Sequence, residues 1–87
     1  MIHPPIVNPI YLKSFIEKAI KDEQYLKIDY VDVKSKITKG RIIEPMQLKK
    51  DGDMYDRVIA RDVSKDDMRS FLFLGIQKIE IATLNDL

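Results

Sequence analysis

The chain has 87 residues, 15 of them basic and 14 acidic, and a formal net charge of +1. This length predicts one small domain, and the balanced charge provides no general attraction to a polyanion. Because there is no cysteine, and the one histidine (His3) lies near a terminus, neither a disulfide framework nor a transition-metal site is expected. There is no signal peptide, and no apolar run approaches the roughly 18 residues that a membrane crossing needs. We therefore expect a cytoplasmic chain with no membrane partner.

The first 22 residues predict an arm followed by a helix. Residues 1–8 contain Pro4 and Pro5, which indicates an extended arm or a linker remnant of a longer protein. Asn8 and Pro9 then favour a helix start, because asparagine suits the N-cap and proline suits the first helical position. Apolar residues recur afterwards at helical spacing, with charged residues on the opposite face. This pattern predicts one amphipathic helix over about 9–22, whose apolar stripe must cover a sheet.

From residue 25 onward, short runs alternate apolar and polar residues, which is typical of β-strands. Five strands are predicted, at about 25–34, 37–48, 54–62, 67–74 and 77–84. Gly40 indicates a bend or bulge in the second strand, and Pro45 confines that point to an edge or a strand break. Asp51-Gly52 indicates a tight turn after this strand. Short antiparallel strands with such bends commonly close into a small barrel, since closure removes exposed edges. We expect residues 9–87 to form a mainly β domain: a five-stranded antiparallel SH3-like or Sm-like barrel with one N-terminal helix.

The predicted third and fourth strands form a hairpin that carries most of the candidate chemistry. Because strand side chains alternate, Tyr55, Arg57 and Arg61 share one face of the first arm. Arg69 and Phe71 share one face of the second arm. Whether these two faces coincide depends on the register between the strands, which the sequence leaves open. If they coincide, arginines and aromatic rings form one wall of the sheet.

Several short segments follow one another in a specific order and spacing within residues 15–84. They are Ala19-Ile20, Ile28-Asp29-Tyr30, Arg41-Ile42-Ile43-Glu44-Pro45 with Leu48, Ile59-Ala60-Arg61-Asp62, and Arg69-Ser70-Phe71 leading to Gly75-Ile76. This ordered set resembles a WYL domain, the Sm-like β-barrel module of many bacterial transcriptional regulators and some helicases. The resemblance implies a nucleotide-like or nucleic-acid ligand held by arginine and aromatic side chains.

The chain departs from the family pattern at two places. The Trp-Tyr-Leu triplet that gives the family its name aligns with Asp56-Arg57-Val58, so both aromatic residues are absent there. Tyr55 lies one residue away and could supply a displaced ring if a bulge shifts the register. A family arginine aligns with Gly75, whereas Arg41 and Arg69 remain from the pattern.

The candidate ligand site combines cationic and aromatic side chains. A guanidinium group can hold phosphate bidentately and stack on bases, aromatic rings can stack on single-stranded bases, and lysines can contact a phosphate backbone. The candidate ligand- or nucleic-acid-binding residues are Arg41, Arg57, Arg61, Arg69, Tyr30, Tyr55, Phe71 and Lys39. A structural interpretation stays open for several of them. Tyr30 and Phe71 also suit a barrel core, Arg57 and Arg61 can pair with nearby aspartates, and Lys39 suits a solvated turn.

The sequence offers little support for catalysis. It contains no phosphate-binding glycine loop, nucleophile elbow or metal-ligand spacing, so we predict a non-enzyme without a cofactor. The leading hypothesis is a regulatory module that senses a ligand or binds single-stranded nucleic acid. The alternatives are a module for protein interaction or homo-oligomerisation through barrel edges, and an accessory domain whose pocket has decayed. The sequence does not distinguish DNA, RNA and a small nucleotide.

Overall fold

The computed structural model describes residues 9–87. The elements, in chain order, are α1 (Pro9–Lys21), β1 (Leu26–Val31), β2 (Ile37–Asp51), β3 (Met54–Asp62), β4 (Asp67–Leu72) and β5 (Ile76–Ile81). Short 3-10 turns follow the last two strands, at Phe73–Gly75 and Leu84–Asp86. The arm predicted for residues 1–8, including the N-cap at Asn8, lies outside the described residues. No helix within residues 9–87 is long and apolar enough to cross a membrane.

The five strands form one antiparallel sheet in the order β4-β3-β2-β1-β5. This arrangement confirms the predicted fold class, mainly β with one N-terminal helix. The sheet is not closed by strand pairing, because β4 and β5 are its two edges. Instead, Tyr30 on β1 reaches β4, and its hydroxyl accepts the backbone N–H of Leu72 at 2.9 Å. A side chain therefore satisfies a backbone donor that a neighbouring strand would satisfy in a closed barrel.

The second strand is long and bent, as its glycine predicted. At Pro45 it pairs with β3 but no longer with β1, which agrees with the edge position predicted from the proline. It spans 15 residues and pairs with both β1 and β3. Gly40 has a φ of +64°, and the register with β3 shifts between Pro45 and Gln47. Such a bulge increases the local bend and twist of a strand. β2 also runs past its predicted end at residue 48, because residues 49–51 continue to pair with β3.

The core lies between α1 and the inner face of the sheet. The helix contributes Leu12, Ile16 and Ala19, each at most 1% exposed, and it contacts β2 and β3. The sheet contributes aliphatic and aromatic side chains: Leu26, Ile28, Tyr30, Ile43, Val58, Ala60, Phe71, Phe73 and Ile76. Asp62 is the one charged residue within residues 9–87 that is buried in this core. A buried carboxylate requires a partner, which the site below supplies.

Candidate anion-binding groove

The register between β3 and β4 shows that the face of β3 with Arg57 and the face of β4 with Arg69 lie on opposite sides of the sheet. Val58 lies opposite Phe71, and Ala60 lies opposite Arg69. Residues directly opposite each other in an antiparallel pair share a face of the sheet. Arg69 and Phe71 are therefore on the buried face with Val58 and Ala60, whereas Arg57 follows the alternation to the other face. The single wall of arginines and aromatic rings does not form.

A groove beside β4 nevertheless brings three of the four candidate arginines together. Its volume is about 320 Å³, and Arg41, Arg57 and Arg69 all line it. Arg57 lies opposite Leu72, the last residue of the edge strand, and so borders the groove where that strand ends. Tyr30 is a further lining residue. We call this feature the arginine groove.

Arg41 forms the floor of the arginine groove. Its Nε donates to Asp62 Oδ2 at 2.8 Å, and its guanidinium carbon lies 4.9 Å from the centre of the Phe71 ring. Asp62 also accepts hydrogen bonds from the backbone N–H and the hydroxyl of Ser64, at 3.1 and 2.9 Å. Burial acts to raise the pKa of Asp62, but the hydrogen bonds from Arg41 and Ser64 outweigh burial and hold that pKa below its ordinary value. The ion pair at the floor is therefore maintained at neutral pH.

Part of the Arg41 guanidinium still faces no protein acceptor. Its Nη1 donates to Thr38 Oγ1 at 3.4 Å, and its Nη2 makes no hydrogen bond within residues 9–87. The side chain is 14% exposed. Arg41 is thus held by the fold while one donor group remains open to a ligand.

Arg57 and Arg69 form the rim, and each is paired with an aspartate close in sequence. Arg57 donates from Nε and Nη2 to Asp56 at 2.9 Å each, and Arg69 donates from the same atoms to Asp67 at 3.1 and 3.3 Å. The hydrogen bond from Arg57 lowers the pKa of Asp56. All four side chains are between 31% and 50% exposed. Exposed pairs of this kind contribute little to stability, because water solvates both partners.

Arg61 does not belong to the arginine groove. Its three guanidinium nitrogens donate to Glu44 at 2.9 Å, to Asp66 at 3.0 Å and to the Tyr25 hydroxyl at 3.3 Å. The hydrogen bonds to Glu44 and then Asp66 raise the pKa of Arg61 further above its ordinary value. Arg61 therefore links β3 to β2, to the β3–β4 turn and to the residue before β1, and each of its three guanidinium nitrogens makes a hydrogen bond.

The other two candidates outside the groove are Tyr55 and Lys39. The Tyr55 ring is half-buried and lies beneath two ammonium groups, with Lys13 Nζ at 5.3 Å and Lys50 Nζ at 4.9 Å from the ring centre. It does not replace the missing family aromatic residues in the groove. Lys39 is exposed and borders a different cavity of about 360 Å³, which Arg41 also lines.

Tyr30 and Phe71 are core residues as well as lining residues. They are 6% and 1% exposed, and their rings make an edge-to-face contact with centres 5.1 Å apart. This burial leaves little of either ring for stacking on a base. It agrees with the structural interpretation that the sequence left open for both residues.

The packing around Gly75 leaves no room for the arginine that the family pattern has at this position. A Cβ atom at Gly75 would lie 2.4 Å from the carbonyl oxygen of Val31 and 2.6 Å from Cε1 of Tyr30. The Tyr30 ring therefore occupies the space that any side chain at position 75 would need. The sequence shows the glycine, but only the packing shows that the Tyr30 ring and the Val31 carbonyl group fill the space beside it.

Sequence reasoning missed the carboxylate that holds the floor of the groove and several lining residues. Asp62 follows Arg61 directly in sequence but pairs with Arg41. Asp32 and Val33, from the β1–β2 turn, and Leu72 also line the groove. No local pattern marks them, because the approach of this turn to β4 depends on the bending of the sheet.

Comparison with known proteins identifies the family. The model of the WYL domain matches residues 13–81. Among solved structures, the chain is similar to proteasome accessory factor B/C (PafBC) of Arthrobacter aurescens, with a TM-score of 0.72 and 20% sequence identity. That likeness covers 84% of this chain and 11% of the PafBC chain, and at this identity it concerns the fold. No match was found among curated proteins. Since the family model spans most of its length, the chain belongs to the WYL domain family.

Proposed function

We propose that this WYL domain is a non-catalytic, cytoplasmic regulatory module that binds a phosphate-bearing ligand in the arginine groove. The ligand is a nucleotide or a segment of single-stranded nucleic acid. The observation that carries the proposal is the convergence of Arg41, Arg57 and Arg69 on one cavity. Guanidinium groups match the oxygens of phosphate in geometry and charge. A role in transcription regulation is supported by membership of a family found in bacterial transcriptional regulators.

The carboxylates beside these arginines set the strength and salt dependence of binding. A phosphate must take the place of Asp56 or Asp67 at the rim, where both ion pairs are exposed. Because water and salt screen exposed pairs, this exchange has a small energetic cost. The buried pair between Arg41 and Asp62 stays intact and contributes its remaining donor. We expect binding that weakens steeply as salt rises, since phosphate contacts release counterions.

The same contacts favour binding over catalysis. The three arginines of the groove are engaged in pairs with carboxylates, and the pKa of Asp56, the partner of Arg57, is lowered by that pair. Asp32, the carboxylate that lines the groove, has its pKa lowered by backbone hydrogen bonds. A general acid or base works best when its pKa lies near the operating pH. The groove is therefore better suited to hold an anion than to transfer a proton.

Titration of a labelled single-stranded oligonucleotide, as DNA and as RNA, at low and moderate salt tests this proposal. We expect fluorescence anisotropy to show binding that weakens with salt, and Arg57→Ala and Arg69→Ala each to weaken it several-fold. Competition with a nucleoside monophosphate then distinguishes a nucleotide site from a site that needs several linked phosphates.

The matched control is Lys18→Ala, which removes one positive charge from the exposed side of α1. Lys18 is 76% exposed, pairs with Asp22 and does not line the groove. If it weakens binding as much as Arg69→Ala, the attraction is general and not specific to the groove. Failure to bind any phosphate-bearing ligand would also contradict the proposal.

A second candidate function is self-association, and the open edges of the sheet favour it. Neither β4 nor β5 has a neighbour on its outer side within residues 9–87. Unpaired strand edges can pair with another chain. We expect sedimentation velocity to show dimers or larger assemblies as the protein concentration rises. A monomer at all concentrations and salt conditions would exclude this candidate.

A further inference from the structure

A second cavity continues the arginine groove past the end of β4. It has a volume of about 310 Å³ and shares Tyr30, Asp32, Val33 and Leu72 with the groove. Because four residues line both cavities, the two form one continuous surface depression. Arg41, Arg57 and Arg69 make one end of it cationic, whereas the other end has no arginine or lysine among its lining residues.

Two aliphatic side chains on separate turns line this second cavity. Val33, in the β1–β2 turn, is 85% exposed, and Leu74, in the 3-10 turn after β4, is 90% exposed. Leu74 is exposed because Phe73 and Gly75 on either side of it face the core. Single exposed aliphatic residues are common on protein surfaces. Here, however, two of them line the same cavity next to a cluster of arginines, and half-buried Leu72 adds a third apolar surface.

Polar side chains that line the second cavity indicate which kind of ligand it can bind. Asp32 and Gln77 also line it, and both are half-buried. Asp32 Oδ1 accepts the backbone N–H groups of Lys36 and Lys34 at 2.9 Å each, and these bonds hold the pKa of Asp32 below its ordinary value. Asp32 is therefore an acceptor only, and its Oδ2 makes no hydrogen bond within residues 9–87. The Gln77 amide can both donate and accept.

A nucleobase has the matching chemistry. Its faces are apolar enough to lie against Val33 and Leu74, and its edge carries donors and acceptors for Asp32 and Gln77. A hydrocarbon chain would leave both polar groups without a partner. The three arginines line the groove and not the second cavity, so charge also sets the direction in which a ligand lies.

We propose that the cavity lined by Val33 and Leu74 is a base subsite, which binds the nucleobase of a ligand whose phosphate lies among Arg41, Arg57 and Arg69. This inference rests on the proposed function and adds to it the place of the base and the orientation of the ligand. The ligand is a nucleotide unit, free or within a single strand, and not a simple phosphate ester.

Two ligands that differ only in the base test the subsite. Guanosine 5′-monophosphate and ribose 5-phosphate share the sugar and the phosphate, and each can be titrated into the isotope-labelled protein by NMR. We expect the nucleotide to bind at least about fivefold more tightly, because its base buries apolar surface that the sugar phosphate lacks. Leu74→Ser should reduce this advantage and leave the affinity for ribose 5-phosphate unchanged, because Leu74 lines the second cavity and not the arginine groove. Arg69→Ala should weaken both ligands.

The outcomes separate the subsite from the groove. If both ligands bind equally and depend on Arg69, the base subsite is wrong and the proposed function stands. If the nucleotide keeps its full advantage in Leu74→Ser, the base binds elsewhere and the inference is again wrong. If neither ligand binds, the base subsite is wrong, and the oligonucleotide titration decides the proposed function separately. Unchanged binding of ribose 5-phosphate also shows that Leu74→Ser is folded.

Discussion

The floor and the rim of the arginine groove both contain arginine–aspartate ion pairs, but the floor pair is buried and the rim pairs are exposed to water. At the floor, Arg41 and Asp62 are 14% and 1% exposed, whereas the rim pair of Arg69 and Asp67 is 41% and 50% exposed. Removing one partner of a buried pair leaves a buried charge without compensation, which costs much stability. Removing one partner of an exposed pair costs little, because water solvates the remaining charge. The same pairing therefore maintains the fold at the floor and remains exchangeable for a ligand at the rim.

The two regions also differ in how far apart the partners lie in the sequence. Arg41 and Asp62 are separated by 21 residues and join β2 to the end of β3. At the rim, Arg57 and Arg69 use aspartates one and two residues away. The floor pair therefore exists only when the sheet has formed, while the rim pairs need only a local extended strand. Four variants test the comparison between the fold beneath the groove and its rim.

The largest effect is expected for Asp62→Ala at the floor. It leaves Arg41 without its carboxylate and removes the acceptor of both Ser64 hydrogen bonds. Breaking a buried pair in this way costs about 3–5 kcal/mol of the free energy of unfolding. Chemical denaturation measures this change. The control is Asp67→Ala at the rim, and an equal loss in the two variants would remove the distinction between floor and rim.

A smaller loss is expected for Gly75→Ala, which places a methyl group in the space beside the Tyr30 ring. The new Cβ would meet the carbonyl oxygen of Val31 and the ring of Tyr30. Overpacking of this kind costs about 1–3 kcal/mol, because the neighbours must shift. Thermal or chemical unfolding measures it, with Leu74→Ala at the adjacent exposed position as the control. A fully stable Gly75→Ala variant would show that the Tyr30 ring is not held firmly.

Tyr30→Phe should have a smaller effect again, since it deletes one hydrogen bond and keeps the ring. The Leu72 N–H then loses its acceptor, at a cost of about 1 kcal/mol. Hydrogen exchange at the Leu72 amide should become faster, which a stability measurement alone would not reveal. Tyr11→Phe on the exposed side of α1 is the control. Unchanged exchange at Leu72 would mean that this hydrogen bond does not protect the edge of the sheet.

The smallest effect on stability is expected for the rim double variant, Arg57→Ala with Arg69→Ala. Both guanidinium groups are exposed and pair with neighbours in sequence, so the midpoint of thermal unfolding should not change measurably. The same variant should nevertheless lose affinity for phosphate-bearing ligands. A fall in stability comparable with that of Asp62→Ala would show that the rim also maintains the fold.

Much of the fold could be predicted from local patterns in the sequence. The spacing of apolar residues located one helix and five strands, Gly40 marked a bend in β2, and Pro45 marked the place where β2 no longer pairs with β1. Strand periodicity also placed Arg69 and Phe71 on one face of β4, as observed. These features depend on neighbours in the chain, so a sequence pattern can carry them.

The sequence by itself determined the secondary structure, the family resemblance and the residue types available to a ligand. Only the tertiary structure decided that Arg69 and Arg57 lie on different faces, that Arg41 pairs with Asp62, and that Arg61 is occupied elsewhere. The physical reason is that alternation orders side chains within one strand, whereas the register and bending between strands depend on turns and packing across the whole sheet.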